Sequence, residues 1–183
     1  LPNSSSDPTR NYVLSSPAGT DVAQKPLGKL QLGLRSIEVP GYLHNHRDMA
    51  VRTAANEIRY DEFSRWAESL EEGLGRVLRQ RLLAADGVAG VSSFPFATDV
   101  KRDYDLVIRI QNCEGAVSDG HPVARFSASY DVLAAGSGGQ VLVRRTFVAA
   151  ELPWNGTDYG ALAGLLSEAA ARLGEDMVAN LPK

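Results

Sequence analysis

The chain has 183 residues, 44% hydrophobic and 22% charged, which suffices for one domain with its own core. A net charge of −3 argues against a general nucleic-acid binder, which would present a basic surface. No run approaches the roughly 20 consecutive apolar residues of a membrane helix, and the single cysteine, Cys113, permits neither an internal disulfide nor a Cys-x-x-Cys zinc or redox pair.

The opening, "LPNSSSDPTRN", is polar and rich in Ser and Pro, and residues 1–11 read as a flexible tether. It lacks the pattern of a signal peptide; a chain starting after a removed targeting segment would open this way. Residues 12–183 are assigned to a single domain. Within the linker-like stretch that reaches Gly28, "NYVLSS" is an apolar island, expected to form a short strand or an anchoring segment. Leu30, Leu32 and Leu34 then alternate with polar or small residues, as in a strand. The apolar phase flips to Ile37 and Val39, which predicts a bulge or bend between Leu34 and Ile37. Pro40-Gly41 ends the run.

Residues 49–60, "MAVRTAANEIRY", read as one or two short strands around a kink at Ala55-Asn56. From Asp61 the period changes. Phe63, Trp66, Leu70, Leu74, Val77, Leu78 and Leu82 are spaced by three and four, predicting one amphipathic helix with Asp61 as N-cap and Gly87 as stop. Glu57, Asp61 and Glu62 would then sit at its start, where the helix dipole favours negative charge. "VSSFPF" is a further candidate strand. Three period-two runs follow: Tyr104, Leu106, Ile108 and Ile110; Phe126, Ala128, Tyr130 and Val132; and Val141, Val143 and Phe147. The connections "GAVSDGHP" and "AAGSGGQ" suit antiparallel hairpins. Thr157 is the expected N-cap of a last amphipathic helix carrying Tyr159, Leu162, Leu166, Ala169, Leu173 and Met177 or Val178. The predicted fold is α+β: a single domain in which a mainly antiparallel sheet has two amphipathic helices packed on one face.

Candidate chemistry is sparse. His44 and His46 are two positions apart, so in extended chain both imidazoles would point one way, with Asp48 as a third ligand. A stand-alone small-molecule or metal-binding domain built on these residues is the alternative to the expected polar turn. The H-E-x-x-H motif is absent. His121 falls in a predicted hairpin loop, a poor base for Cys113, itself expected to be a small strand hydrophobe. No G-x-S-x-G elbow is present, and the glycines at 136, 138 and 139 match no phosphate-binding pattern. Arg144 and Arg145 are expected to make salt bridges, Trp66 to pack in the core, and Asn155-Gly156-Thr157 to serve as a helix cap although it fits a glycosylation sequon. No catalytic residues and no cofactor are expected.

The ordered features do resemble a known family. "NYVLS", "IEVPGYL", "MAVRTAANEIRYDEFSRWAESLEEGLGRVLRQRL", "DYDLVIRI", "RFSASYDVL", "VLVRRTFVAAE" and "DYGALAGLLSEAAARLGEDMV" follow one another as in the ABC-type transport auxiliary lipoproteins, the PqiC/YmbA-like proteins of Gram-negative bacteria. The most specific pieces are Pro40 with Tyr42 and Leu43, then Arg59-Tyr60, then Trp66-Ala67-Glu68 with Leu70. The resemblance implies a periplasmic lipoprotein, tethered to the outer membrane through an acylated N-terminal cysteine that this chain does not contain. It further implies work with an MCE-domain protein and an ABC transporter in lipid transport across the envelope. A homo-oligomer, such as a collar around a lipid conduit, is compatible with that role. After Tyr42-Leu43 the family pattern runs near Asp-Arg-Pro-Gln, whereas this chain has His-Asn-His-Arg-Asp.

Overall fold

The longest apolar-alternating run becomes the organising strand of a nine-stranded mixed sheet. A computed structural model describes residues 7–16, 28–136 and 138–182. Strand β6, Tyr104–Ser118, pairs antiparallel along its whole length with β7, His121–Ala134, and β7 pairs in turn with β8, Val141–Val148, and β9, Leu152–Pro153. The β6–β7 connection is a two-residue Asp119-Gly120 turn with both φ values positive, 49° and 78°, which matches the twist of the flanking strands. It is shorter than the expected loop because Ser118 and His121 already pair.

The opposite edge of β6 is shared by two separate groups of strands. Near its start it pairs in parallel with β2, Leu30–Leu34, which pairs with β5, Val88–Ser93. Near its end it pairs in parallel with β3, Asp48–Ala54. Strand β3 forms an antiparallel hairpin with β4, Glu57–Trp66, and β1, Arg10–Tyr12, pairs in parallel with β4. Strand β1 thus begins inside residues assigned to the tether. Residues 1–6 of that tether, and residues 17–27 of the linker-like stretch, lie outside the described residues.

The predicted break after Leu34 is present, but Ile37 and Val39 do not continue as a strand. Glu38 makes one isolated bridge to Arg109, and Ile37 is buried. The chain then rises through a single helical turn, α1, Gly41–His44, before returning to β6 as β3. Strand β6 bulges where α1 arches over it: Ile110 and Asn112 oppose the consecutive residues Ala128 and Ser127, which leaves Gln111 extra.

The expected helix from Asp61 is corrected. Residues 61–66 belong to β4, and α2 spans Leu70–Leu83. Its start is a capping box: Ser69 accepts from the Glu72 N–H, and Glu72 accepts from the Ser69 N–H. Glu71 and Glu72, rather than Glu57, Asp61 and Glu62, are the acids of its first turn. The helical spacing was an alias. Between the pairs Asp48↔Arg65 and Ala50↔Tyr60, β4 advances five residues while β3 advances two, and this wide bulge erases period-two patterning. Phe63 lies on the bulge, 52% exposed, whereas Trp66 is buried as expected, though on a strand.

The last helix, α3, spans Tyr159–Ala179. Asp158 is its N-cap, accepting from the Ala161 N–H, while Asn155 Oδ1 receives the Thr157 and Asp158 N–H groups. The expected Thr157 cap is therefore one residue early. Leu74, Val77, Leu78 and Leu82 of α2 and Leu162, Leu166, Leu173 and Met177 of α3 are fully or nearly fully buried, in one core with Leu32, Leu106, Ile108, Phe126, Ala128, Tyr130 and Val132 of the sheet. The helices touch at Gly174, where a β-carbon would stand 2.9 Å from Arg81 Cγ. Both long helices thus cover one face of the sheet, as predicted. Arg145 points to that side, 3.9 Å from Asp176 of α3, and Arg144 to the other, bonded to Asp131. Among the described residues no helix is long and apolar enough to cross a membrane.

Candidate functional site

The Pro40 turn and the β6 bulge meet around one carboxylate. Glu114 is 1% exposed. Oε1 accepts from Arg52 Nε at 3.0 Å and from Asn112 Nδ2 at 3.0 Å. Oε2 accepts from the Tyr42 hydroxyl at 2.9 Å and from the Cys113 N–H at 2.8 Å. Four donors, one of them a guanidinium, meet the requirement that a buried charge be paired and hydrogen-bonded. The neighbouring groups extend the cluster. Ser127 Oγ donates to Asn112 Oδ1 at 2.8 Å, and the Arg52 guanidinium lies 5.4 Å from the centre of the Tyr42 ring.

The sequence places these groups by local rules. Pro40, at φ −58° and ψ 147°, is the N-cap of α1, and its carbonyl accepts from the Leu43 and His44 N–H groups at 2.9 Å each. This single turn directs Leu43 into the core and Tyr42 toward β6. Burial, followed by the Glu114 charge, pushes the Tyr42 hydroxyl up to about 12, so it stays a donor throughout the physiological range. Tyr60 fixes the turn from β4, its hydroxyl donating to the Tyr42 carbonyl at 2.9 Å. Three expected motif residues, Pro40, Tyr42 and Tyr60, therefore converge. Arg59 belongs to the opposite side of β4, near Tyr159, whose hydroxyl is pushed up by burial and by Asp61. Trp66 is separate again, buried at the end of β4 with its backbone N–H donating to the Arg47 carbonyl at 2.7 Å.

The structure does not bring His44, His46 and Asp48 together. His44 Nδ1 contacts Glu71 Oε1 of α2. His46 stacks on the Tyr60 ring, with centroids 4.3 Å apart and planes 25° from parallel. Asp48 Oδ1 accepts from Arg65 Nε at 2.7 Å. Among the described residues no group of three or more His, Cys, Asp or Glu side chains could hold a metal ion. His121 is exposed beside the Asp119-Gly120 turn. Cys113 is 1% exposed, and burial with the adjacent Glu114 charge pushes its thiol up, away from the nucleophilic thiolate.

Sequence reasoning passed over Glu114, Arg52 and Asn112. The available signal was the spacing from Ile110 to Cys113, three rather than two along one face of a strand, next to an acid between apolar neighbours. As arranged, the cluster works as a clamp. Its donors and acceptors are spent on joining α1, β3 and β6.

Beyond the clamp, the family described as ABC-type transport auxiliary lipoprotein component matches residues 12–178. The chain belongs to that family. The fold agrees: the crystal structure of protein XCC0632 from Xanthomonas campestris superposes with a TM-score of 0.77 at 19% identity, covering 93% of each chain. The hypothetical protein CT253 from Chlamydia trachomatis gives 0.54 at 9% identity over 83% of this chain and 95% of that one. The PelC dodecamer from Paraburkholderia phytofirmans gives 0.50 at 16% identity over 92% of this chain and 96% of that one. At these identities the likeness is one of fold. No curated protein matches the chain. In this auxiliary lipoprotein, Pro40, Tyr42 and Tyr60 hold the connection between the two parallel strands that share β6.

Proposed function

We propose that this protein is a non-enzymatic, periplasmic component of an MCE/ABC-type transport system, anchored to the outer membrane by an N-terminal lipid and acting in intermembrane lipid transport and envelope maintenance. The family match over residues 12–178 carries this reading. The buried ionisable groups support it, because they are consumed by architecture. Glu114 is held by four donors, Asp131 by Arg109 and Arg144, and Asp105 by Arg35 and Arg102. We extend the proposal to a homo-oligomer, since PelC, which shares the fold, is a dodecamer.

Anchoring is tested by reading the codons upstream of Leu1 for a Leu-x-x-Cys lipobox and by labelling the full-length protein with palmitate. Label that disappears when the upstream cysteine becomes serine is expected. Absence of that cysteine, or unlabelled protein, would remove the anchor from the proposal.

A further inference from the structure

A free sheet edge invites pairing with another chain, and folded proteins guard such edges with bulges, short strands or covering groups. Two edges of this sheet are guarded in that way. Strand β5 lies against α2, whose Arg79 Nε donates to the Val91 carbonyl at 3.2 Å. Strand β4 carries the wide bulge, and the three-residue β1 covers its end. Strand β8 has neither protection. Among the described residues it pairs with β7 alone, and its register is regular from Val143 to Val148.

The direction of its free backbone groups follows from one bond. The Ala149 N–H donates to the Phe126 carbonyl of β7 at 3.0 Å. By the alternation of an antiparallel ladder, Arg144, Thr146 and Val148 then point their own N–H and C=O groups away from β7. The charges of β8 do not guard this edge. Arg144 lies back over the sheet on Asp131, at 2.7 and 3.1 Å, and Arg145 turns to the helix side, 3.9 Å from Asp176. The strand is also apolar in the open: Val148 is 71% exposed, Val141 42% and Leu142 41%.

We propose that β8 pairs antiparallel with β8 of a second copy of this chain, about a two-fold axis through Thr146. The sequence of the edge is complementary to itself in that register. An axis at Arg144 or Arg145 would set that arginine against its own counterpart, like charges directly opposite. An earlier axis falls on the extra residue Leu142, and a later one carries the outward groups of Arg144 past the end of the strand. With Thr146 on the axis, Thr146 meets Thr146, Arg144 meets Val148 and Arg145 meets Phe147. Each exposed Val148 then lies beside an arginine stem, each Arg145 beside an aromatic ring, and the outward groups of 144, 146 and 148 face one another. One patch serves both copies, as a two-fold contact requires. The inference rests on the reading that this protein is a homo-oligomer, and it names one contact of that assembly.

The test is sedimentation velocity of the full chain across a concentration series. Val148→Arg sets arginine against Arg144 on both sides of the axis and is expected to weaken self-association about tenfold or more. Its melting temperature should stay near wild type, because Val148 is largely exposed. Thr146→Pro removes an N–H that points away from β7, a loss an edge strand tolerates, and should weaken association as well. Phe94→Ala, an exposed ring after β5, is the control and should change nothing. Thr146→Cys should cross-link two copies under mild oxidation, since paired residues bring their Cα atoms to about 5.5 Å and the native thiol, Cys113, is buried. Val148→Cys, opposite Arg144 rather than itself, should not. An assembly unchanged in Val148→Arg and Thr146→Pro, and not cross-linked through Thr146→Cys, overturns the β8 contact and leaves the homo-oligomer reading standing. An assembly that both variants break but Thr146→Cys does not cross-link means that β8 meets a different edge, and overturns the two-fold pairing. A wild-type chain that stays monomeric throughout the series overturns the homo-oligomer reading, and the β8 contact with it.

Discussion

Glu114 and Asp105 lie near opposite ends of β6, equally buried, and they are used in opposite ways. At Glu114 the donors come from α1, β3 and β6, which locks α1 onto the sheet. At Asp105 the carboxylate is hidden, but the groups it holds face outward: Arg35, 44% exposed, and through Arg102 and Phe96 the half-exposed Phe94. The same device, a buried acid gripping arginine, covers most of its arginine at one end of the strand and leaves it nearly half-exposed at the other. The difference teaches that burial of charge does not itself mark function here.

The comparison breaks first at Glu114. Glu114→Ala strands Arg52 and three other donors, and should cost about 3 kcal/mol, read as a lower midpoint in chemical denaturation. A cost near zero would mean that the cluster is no clamp.

A smaller effect is expected at Asp131, which Arg109 and Arg144 hold on the open face of the sheet. Hydrogen bonds from Arg144, then Arg109, hold its carboxyl below the usual 3.8. A depressed carboxyl adds stability above its unfolded value and loses it as pH falls through the lower folded value. Asp131→Asn should therefore be less stable than wild type at neutral pH, and the gap should close below about pH 4. A gap that persists unchanged in acid would contradict the ion-pair account. Smallest of all is the stability effect of Phe94→Ala, expected within about 0.5 kcal/mol because the ring is 54% exposed.

Much of the fold was legible where one face of a strand is covered. Leu106, Ile108 and Ile110 of β6 and Phe126, Ala128, Tyr130 and Val132 of β7 are buried against the helices, so their alternation survives in the sequence. It failed where β4 bulges, because three extra residues turned Phe63, Trp66 and Leu70 into an apparent helical stripe. The candidate site was half legible. Pro40, Tyr42 and Tyr60 carry a recognisable pattern, but Glu114 lies 72 residues from Tyr42 and 62 from Arg52, and the Gln111 bulge hides its phase.

The central claim is that this protein works by assembly. Co-purification of the tagged full-length protein with an MCE-domain protein from the same cells, the partner proposed above, tests it most directly. The account predicts a complex that survives gel filtration. Separate elution of the two proteins under those conditions would contradict it.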